Sequence, residues 1–346
     1  MSNRSIQLKD ADGSLFPISM ASLIADGNIG KTQAEINADL YTKLTGATPG
    51  NTLTYHGRKV SLVTPGDYTV GIKSLLSTNY GSHFTEQTWN GGLAISDGIA
   101  VLTFNYGFLV MLNWADKGLM ATGKAACYST TNHAGNCSFG TTHYSGNKIP
   151  LLYISECDET HNKSYRCFVE NVVQNGSDLT CSNVQTITYN GTKLNSTYTT
   201  DWAVDPIEGY LYGYGYKPGE TQNSARNTIV MMRFRIPEIT SKTVTLTDSD
   251  VLATKEVSID GILQGCSVSG GVFLYPYSNN ENGGVTGNGM VVYDFNNDEL
   301  LFKTSLWDYT KKELEGGCLY NGKAYVVGHT YGQNNADAEY IEVSFP

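Results

Sequence analysis

Ionisable side chains gather between positions 143 and 170, and their types are the ones in this chain most suited to catalysis. Two carboxyl groups held at a defined separation can cleave a glycosidic bond. Spacing along the chain does not define that separation, and charged residues in loops are usually solvated. We therefore predict no catalytic residue from this group, which consists of His143, Glu156, Asp158, His161, Arg166 and Glu170.

Aromatic residues alternate along the segment from position 210 to 216, and further aromatic residues occur on comparable segments. Aromatic faces stack on sugar rings, while carboxylate and amide groups bond to sugar hydroxyls. Tyrosine also packs between sheets, so we expect most of these side chains to be buried between sheets. We expect those at strand ends to be the ones that contact a ligand. The candidate ligand-binding residues are Trp202, Tyr210, Tyr212, Tyr214 and Tyr275, with the flanking Asp201 and Asp205.

Sequence motifs for metals, phosphates and nucleophilic catalysis are missing from the chain, which has no HExxH, GxSxG, Walker or EF-hand pattern. The glycine-rich run at 283–289 precedes no predicted helix, so it does not fit a phosphate-binding loop. The turn at 10–13 has neither the third oxygen ligand nor the distal glutamate of a calcium loop. We predict no metal and no cofactor.

The chain has seven cysteines, and the odd number together with the lack of an export signal favours reduced thiols. A disulfide between Cys157 and Cys167, facing across a hairpin, is the alternative. Cys137, Cys266 and Cys318 share one position on the predicted innermost strands. Either three thiols near an axis carry metal or redox chemistry, or cysteine fills a narrow centre as a small hydrophobe, which we favour.

Composition excludes several classes of protein. Of the 346 residues 16% are charged, 37 are glycine, 23 are tyrosine and 9 are proline, a mixture unlike disordered chains, collagen or coiled coils. The net charge of −10 argues against nucleic acid and anionic membranes as partners. No apolar run approaches the roughly 20 residues of a membrane helix, and the N-terminus has no apolar signal region. We expect neither membrane insertion nor ordinary secretion.

A pattern of a small-residue entry, a turn and a strong β run recurs from about residue 81 onward. Four-stranded units of about 40 to 60 residues are typical of a β-propeller. The last unit has only three strands, and we expect Ser82 to Trp89 to supply its fourth because an open sheet edge is unfavourable. The predicted fold class is all-β, a five-bladed β-propeller at 81–346, with its strong β runs at 99–104, 151–155, 209–214, 272–276 and 323–329.

The first 80 residues divide into a predicted attachment and oligomerisation segment at 1–45 and a structured connector at 46–80. A hairpin is predicted around Asp12-Gly13, and a strand pair between Leu53 and Val63. A capping box begins a short helix near residue 32. Such a helix is marginal alone, so it either docks on the body of the chain or pairs with copies of itself. Its apolar stripe, the candidate oligomerisation surface, is Ile36, Leu40 and Leu44.

The segments 6–13 (IQLKDADG) and 31–40 (KTQAEINADL) resemble N-terminal stretches of tail and fibre proteins from phages and prophages of gut Bacteroidetes. The body, including 147–156 (NKIPLLYISE), looks like propeller-type proteins of the same bacteria and phages. This resemblance implies a modular virion fibre, with a short attachment element before a distal domain. It also implies assembly in the host cytoplasm, in agreement with the lack of a signal peptide.

These observations lead to one main functional hypothesis, a phage virion fibre or adhesin subunit that forms a trimer. Its propeller would bind a host surface glycan or another virion protein. A carbohydrate-active hydrolase or lyase that degrades surface polysaccharide is the alternative, since propellers support both binding and catalysis. An architectural virion component without any ligand is a third hypothesis.

Overall fold

The computed structural model of the chain is built almost entirely of β-strands, which confirms the predicted all-β class. Among the described residues, no helix is long and apolar enough to cross a membrane. The structure describes residues 6–9, 15–18, 52–55, 58–63, 71–84, 90–156, 166–194, 200–220, 225–281, 284–331 and 337–344.

The first sheet contains β1 (Ile6–Lys9), β2 (Leu15–Ile18), β3 (Thr52–Tyr55) and β4 (Arg58–Val63). Antiparallel pairing of β1 with β2 and of β3 with β4 confirms both predicted hairpins. β1 also pairs with β4, so strands from the predicted attachment segment and connector form one sheet in the order β2-β1-β4-β3. The predicted helix with Ile36, Leu40 and Leu44 lies outside the described residues.

The other strands follow in antiparallel groups. They are β5 (Gly71–Asn79), β6 (Asn90–Ser96), β7 (Ile99–Phe104), β8 (Phe108–Asn113), β9 (Leu119–Lys124), β10 (Asn136–Phe139), β11 (Leu152–Ser155), β12 (Cys167–Asn175), β13 (Asp178–Tyr189), β14 (Asp201–Asp205), β15 (Tyr210–Tyr216), β16 (Asn227–Arg235), β17 (Thr243–Leu246), β18 (Ala253–Ile259), β19 (Ile262–Leu263), β20 (Ser267–Ser269), β21 (Val272–Glu281), β22 (Gly284–Asp294), β23 (Glu299–Ser305), β24 (Glu313–Tyr320), β25 (Lys323–His329) and β26 (Asp337–Ser344). Short 3-10 helices occupy Gly81–His83, Asn105–Gly107 and Asp248–Asp250.

In the described residues these strands form units that we number along the chain. The first unit is β6 to β9, the second β10 to β13, the third β14, β15, β16 and β18, the fourth β20 to β23, and the fifth β24 to β26 with β5. Short parallel pairing of β13 with β9 joins the first two units into one sheet, and β17 also pairs with β13. The second strand of each unit coincides with one of the predicted β runs.

The first strands of the units lie side by side around a common axis. β6 contacts β10, β10 contacts β14, β14 contacts β20, β20 contacts β24, and β24 returns to β6. Each unit extends outward from its first strand through consecutive antiparallel neighbours. The arrangement is propeller-like.

The strand that completes the fifth unit is not the predicted one. β5, at Gly71–Asn79, pairs with β26, whereas part of the predicted segment from Ser82 to Trp89 forms a 3-10 turn. The chain must travel from the outer edge of the fifth unit to the axis before β6 begins at Asn90. At strand spacings of about 4.8 Å this crossing takes roughly five residues or more. A closing strand that ended at Trp89 would leave no residues for it before Asn90. The closing strand therefore lies in the predicted connector.

Apolar side chains fill the space between every pair of neighbouring units. The layer between the third and fourth units contains Tyr212 and Phe273, for example, and the layer between the fifth and first contains Tyr340 and Phe104. Similar layers join the first to the second, the second to the third and the fourth to the fifth unit. Both faces of each of the five units are thus covered.

Glycine is required where the first strands approach most closely. A Cβ atom at Gly316 would lie 2.9 Å from the backbone oxygen of Gly91 and 2.9 Å from the Cα of Gly92. A Cβ atom at Gly92 would lie 2.7 Å from the backbone nitrogen of Cys137. Both clashes involve backbone atoms, which cannot rotate away, so any larger residue forces neighbouring strands apart.

We expect Gly316→Ala to lower the free energy of unfolding by about 1–3 kcal/mol, because its methyl group overpacks the axis. Gly284→Ala is the matched control, since a Cβ there meets nothing within 4 Å, and we expect it to change stability by less than about 0.5 kcal/mol. Equilibrium unfolding in urea measures both variants. Equal stabilities for the two variants would contradict close packing at Gly316.

Candidate functional site

Polar side chains from different units meet where the first strands begin. In the strand pairing Asn136 is opposite Ser155, Asp201 is opposite Tyr214, and Glu313 is opposite His329. Antiparallel pairing therefore places the start of each first strand beside the end of its second strand. We call this side of the ring the axial end.

The fifth unit contributes a cluster of two glutamates and a histidine to the axial end. His329 Nε2 lies 3.7 Å from Glu313 Oε2, and His329 Nδ1 lies 3.5 Å from Glu315 Oε1. All three residues are buried: Glu313 is 8% exposed, and Glu315 and His329 are each 4% exposed. A register shift between Leu314 and Gly316 leaves Glu315 without a paired residue on β25. Such bulges redirect side chains at the ends of strands.

Burial dominates the electrostatics of this cluster. It raises the pKa of the Glu313 carboxyl, and it raises the pKa of Glu315 well above the usual range with a further contribution from the Glu313 charge. Burial lowers the pKa of His329 to about 4, although Asp337 opposes the shift. The imidazole is therefore neutral at physiological pH, and the same burial favours the protonated form of Glu315.

The two glutamates differ in their hydrogen bonds. Asn280 Nδ2 donates to Glu313 Oε1. Within the described part of the chain, no donor forms a hydrogen bond with the Glu315 carboxyl group, and the His329 Nδ1 atom lies 3.5 Å from its Oε1 atom. A buried carboxylate normally accepts several hydrogen bonds, so Glu315 is incompletely compensated.

Asp201 begins β14 and is partly exposed, but its Oδ1 atom is buried and accepts no hydrogen bond from any described residue. Burial raises the pKa of Asp201 to about 7, against the opposing effects of the Ser155 hydroxyl and of His133. An acid of this pKa exchanges its proton near neutral pH, which suits a binding or catalytic group.

Asn136 connects three units at the axis. Its Nδ2 donates to the backbone oxygen of Trp202 at 2.9 Å, to Tyr214 Oη at 2.9 Å and to the backbone oxygen of Cys266 at 3.0 Å. The side chain is fully buried. No described donor reaches its Oδ1 atom, so the axial end holds another buried acceptor without a protein partner.

Two exposed tyrosines lie on the loops beside the glutamate–histidine cluster. Tyr309 is 55% exposed and precedes Glu313 by four residues, while Tyr331 is 38% exposed and follows His329 by two residues. Lys312 Nζ donates to Thr330 Oγ1 and thereby joins the two loops. The sequence analysis missed both tyrosines, although their positions just outside strand ends at the axis could have indicated them.

Most of the candidate ligand-binding aromatic residues have packing roles in the structure. Tyr210 is partly buried, and the guanidinium of Arg233 lies 4.8 Å from its ring centre. The hydroxyl of Tyr214 accepts a hydrogen bond from the Cys266 backbone nitrogen at 2.9 Å. The fully buried rings, enclosed between neighbouring units, are Trp202, Tyr212, Tyr214 and Tyr275.

The two candidate aspartates differ in role. Asp205 is buried, and it accepts hydrogen bonds from the backbone nitrogens of Gly270 at 2.9 Å and Gly271 at 2.7 Å. It thus joins a turn of the third unit to a turn of the fourth. Among the seven candidate ligand-binding residues, Asp201 Oδ1, Tyr212 Oη and Tyr275 Oη are buried atoms without a hydrogen-bond partner among the described residues, and Asp201 is the one that begins a first strand.

The ionisable residues between 143 and 170 do not assemble into one site among the described residues. Glu170 is fully buried and accepts hydrogen bonds from the backbone nitrogens of Ala126 and Cys127, each at 3.1 Å. Arg166 forms an ion pair with Glu156. His143 Nδ1 lies 3.0 Å from a backbone oxygen in an exposed loop. Asp158 and His161 lie outside the described residues.

The described cysteines have free thiols, including Cys167, while Cys157 lies outside the described residues. Burial raises the pKa values of Cys137 and Cys318 to about 12, and it raises that of Cys266 well above the usual range. These three thiols remain protonated at neutral pH, as expected of small apolar side chains in a narrow centre.

Comparisons with known proteins give only distant structural likenesses. No family model and no curated protein matches the chain. Two glucose dehydrogenase structures match with TM-scores of 0.43, identities of 10% and 11%, and coverage of 79% of this chain and 98% and 99% of theirs. A Myxococcus xanthus glutaminyl cyclase matches with a TM-score of 0.44 and 10% identity, covering 80% of this chain and 97% of the cyclase. At TM-scores below 0.5 and identities near 10%, these similarities are too low to support any conclusion about function.

Asp201→Asn tests the electrostatics of the axial end. The folded protein retains the Asp201 proton up to about pH 7, while the unfolded chain releases it near pH 4. Ionisation of the unfolded chain therefore reduces wild-type stability progressively between these pH values. We expect the stability of the variant relative to wild type to rise by about 1–3 kcal/mol over this range, after allowance for partial exposure.

Urea unfolding at pH 4, 5.5, 7 and 8 measures this difference. Asp308→Asn, an identical change on an exposed loop, is the control. A stability difference between Asp201→Asn and wild type that does not change with pH would contradict the raised pKa.

Proposed function

We propose that the chain is the ligand-binding subunit of a phage virion fibre or adhesin, with a five-bladed β-propeller that binds a host surface glycan at its axial end. The observation that carries the proposal is the group of incompletely compensated acceptors there: Asp201 Oδ1, Asn136 Oδ1 and the Glu315 carboxylate. Sugar hydroxyls are hydrogen-bond donors, and a polyhydroxylated ligand would satisfy acceptors of this kind.

The ring contacts of the described strands support the number of blades. The first strands of five units contact one another in a closed cycle, and five apolar layers join the units in the same order. A propeller of five blades is therefore the proposed architecture.

Exposed aromatic rings and charge define the class of glycan. Tyr309 and Tyr331 offer apolar faces beside the cluster, and such faces suit sugar rings. The carboxylates at the axial end and the net charge of −10 disfavour anionic sugars. Neutral or amino sugars are thus the proposed ligands, and acidic polysaccharides should bind more weakly.

The virion role depends on the N-terminal resemblance to tail and fibre proteins. A fibre needs an element that attaches or multimerises the subunit, and the predicted helix with Ile36, Leu40 and Leu44 supplies an apolar stripe for it. We propose a trimer joined by this stripe, with other virion proteins as further partners.

A hydrolase or lyase of surface polysaccharide is the second candidate function. The pKa of about 7 for Asp201 favours it, because a group of this kind can both donate and accept a proton near neutral pH. A purely architectural role, without any ligand, is the third.

Glycan binding can be measured on an array of neutral, amino and acidic glycans. We expect binding to neutral or amino sugars, and we expect Tyr309→Ala combined with Tyr331→Ala to weaken it about five- to tenfold or more, because two stacking surfaces are lost. Tyr144→Ala removes an equally exposed ring from a loop between β10 and β11, away from the axial end, and should leave binding unchanged.

Two results would contradict glycan binding as the function. A uniform lack of binding would favour the architectural role. New reducing ends or unsaturated products, abolished by Asp201→Asn, would favour the enzyme.

The oligomerisation surface can be tested by light scattering after size exclusion. We expect a trimer for the wild-type chain and a monomer when Ile36, Leu40 and Leu44 are all changed to serine, since the apolar contact is removed. Far-ultraviolet circular dichroism checks that the β-sheet signal is retained. A monomeric wild-type chain, or a trimer that survives the substitutions, would contradict this role of the stripe.

A further inference from the structure

We infer that Glu313, Glu315 and His329 bind one divalent transition-metal ion at the axial end, with Zn²⁺ or Mn²⁺ as the preferred ions. The inference depends on the geometry of the cluster and not on glycan binding. The sequence shows no metal motif here, because the three ligands lie on two strands separated by a turn.

The positions of the donor atoms suit a single ion. One ligand atom from each residue can be chosen so that all three lie within 4.8 Å of one another. Zinc ligands at about 2.0–2.2 Å from the ion are about 3–3.6 Å apart. The two short His329 contacts, at 3.7 Å to Glu313 and 3.5 Å to Glu315, involve different ring nitrogens, Nε2 and Nδ1. A single ion would use one of these nitrogens, and the three ligand atoms would have to close in from separations of up to 4.8 Å, a movement of about 1 Å.

Uncompensated polar atoms point to a ligand at this place. The Glu315 side chain is 5% exposed, and no described residue donates a hydrogen bond to its carboxylate. Asn136 is fully buried with an unbonded Oδ1 atom. A Cβ atom built on Gly265 would lie 2.7 Å from Asn136 Oδ1 and 2.9 Å from the backbone oxygen of Glu315. The side-chain amide of Asn136 is therefore close to the Glu315 backbone.

Two described basic groups lie near the cluster. His133 has a coulombic effect on Glu313. Lys312 Nζ lies on the same side of the fifth unit, but its ammonium group is bonded to Asp337 Oδ2 at 2.9 Å and to Thr330 Oγ1. A divalent cation bound here would favour the ionised form of both carboxyl groups, because metal ligands must be deprotonated.

The types of donor decide between possible cations. Imidazole favours Zn²⁺ and its neighbours in the first transition series, whereas Ca²⁺ and Mg²⁺ prefer sets made only of oxygen. Three protein donors leave at least one coordination position for water or a ligand hydroxyl. Asn280, which donates to Glu313 Oε1, would hold that carboxylate in place as a second-shell partner.

Isothermal titration of the chelator-treated full chain tests the site. We expect one Zn²⁺ ion per chain, weaker binding of Mn²⁺, little binding of Ca²⁺ or Mg²⁺, and a rise in Tm with Zn²⁺ concentration. Glu315→Gln, which keeps the shape of the side chain, and His329→Gln should each weaken Zn²⁺ binding at least 100-fold. Visible absorption of Co²⁺, bound in place of Zn²⁺, reports the same site independently.

His143→Gln is the matched control because it removes an exposed histidine outside the axial end, and it should bind Zn²⁺ as tightly as wild type. Near-ultraviolet circular dichroism confirms that each variant is folded, and Glu315→Gln alone decides the question if His329→Gln does not fold. A wild-type chain that binds no ion, or Zn²⁺ binding unchanged by Glu315→Gln, would overturn the inference. Neither result affects the glycan test, which uses the tyrosine variants.

Discussion

Apolar packing between neighbouring units is the interaction on which the rest of the structure depends. Because a layer also joins the last unit to the first, each of the five units is covered on both faces. This explains a chain with 16% charged residues and 23 tyrosines, whose rings fill the layers. The same packing presses the first strands together until only glycine fits at positions such as Gly316. It also brings polar residues from distant parts of the sequence to one end of the axis.

Two buried carboxyl groups elsewhere in the ring differ from Glu315 in their hydrogen bonds. Asp205 and Glu170 are fully buried, but backbone nitrogens from neighbouring loops compensate both. Leaving a buried acceptor unpaired costs about 1–3 kcal/mol, so a fold selected for stability alone would not keep several together. Glu315 and the Oδ1 atom of Asn136 lack such compensation among the described residues. Glu315 thus differs from Asp205 and Glu170, whose hydrogen bonds join neighbouring segments of the ring.

Periodicity in the sequence predicted the strands well because strand patterns and turns are local properties. The second strands coincide with the predicted β runs, and the principle that N-terminal residues complete the last unit was right. The residues assigned to that strand were wrong, since the length of chain needed to cross a sheet is a three-dimensional quantity. Packing takes most of the alternating tyrosines from 210 to 216, as the sequence analysis expected. When both faces of a strand are covered, alternation no longer distinguishes exposed from buried positions.

The axial site itself depends on strand register, which the sequence does not display. Two neighbouring first strands carry the same irregularity near their beginnings: Gly91 is the extra residue in β6, and Glu315 is the extra residue in β24. At Gly91 a Cβ would meet the Ala134 backbone oxygen, so packing fixes glycine there. At Glu315 the same kind of bulge carries a buried carboxyl group. The residue has no paired residue on β25, so strand pairing does not require a glutamate there. The ladder explains the bulge but not the glutamate, and the proposed metal site gives this position a reason to carry a carboxyl group.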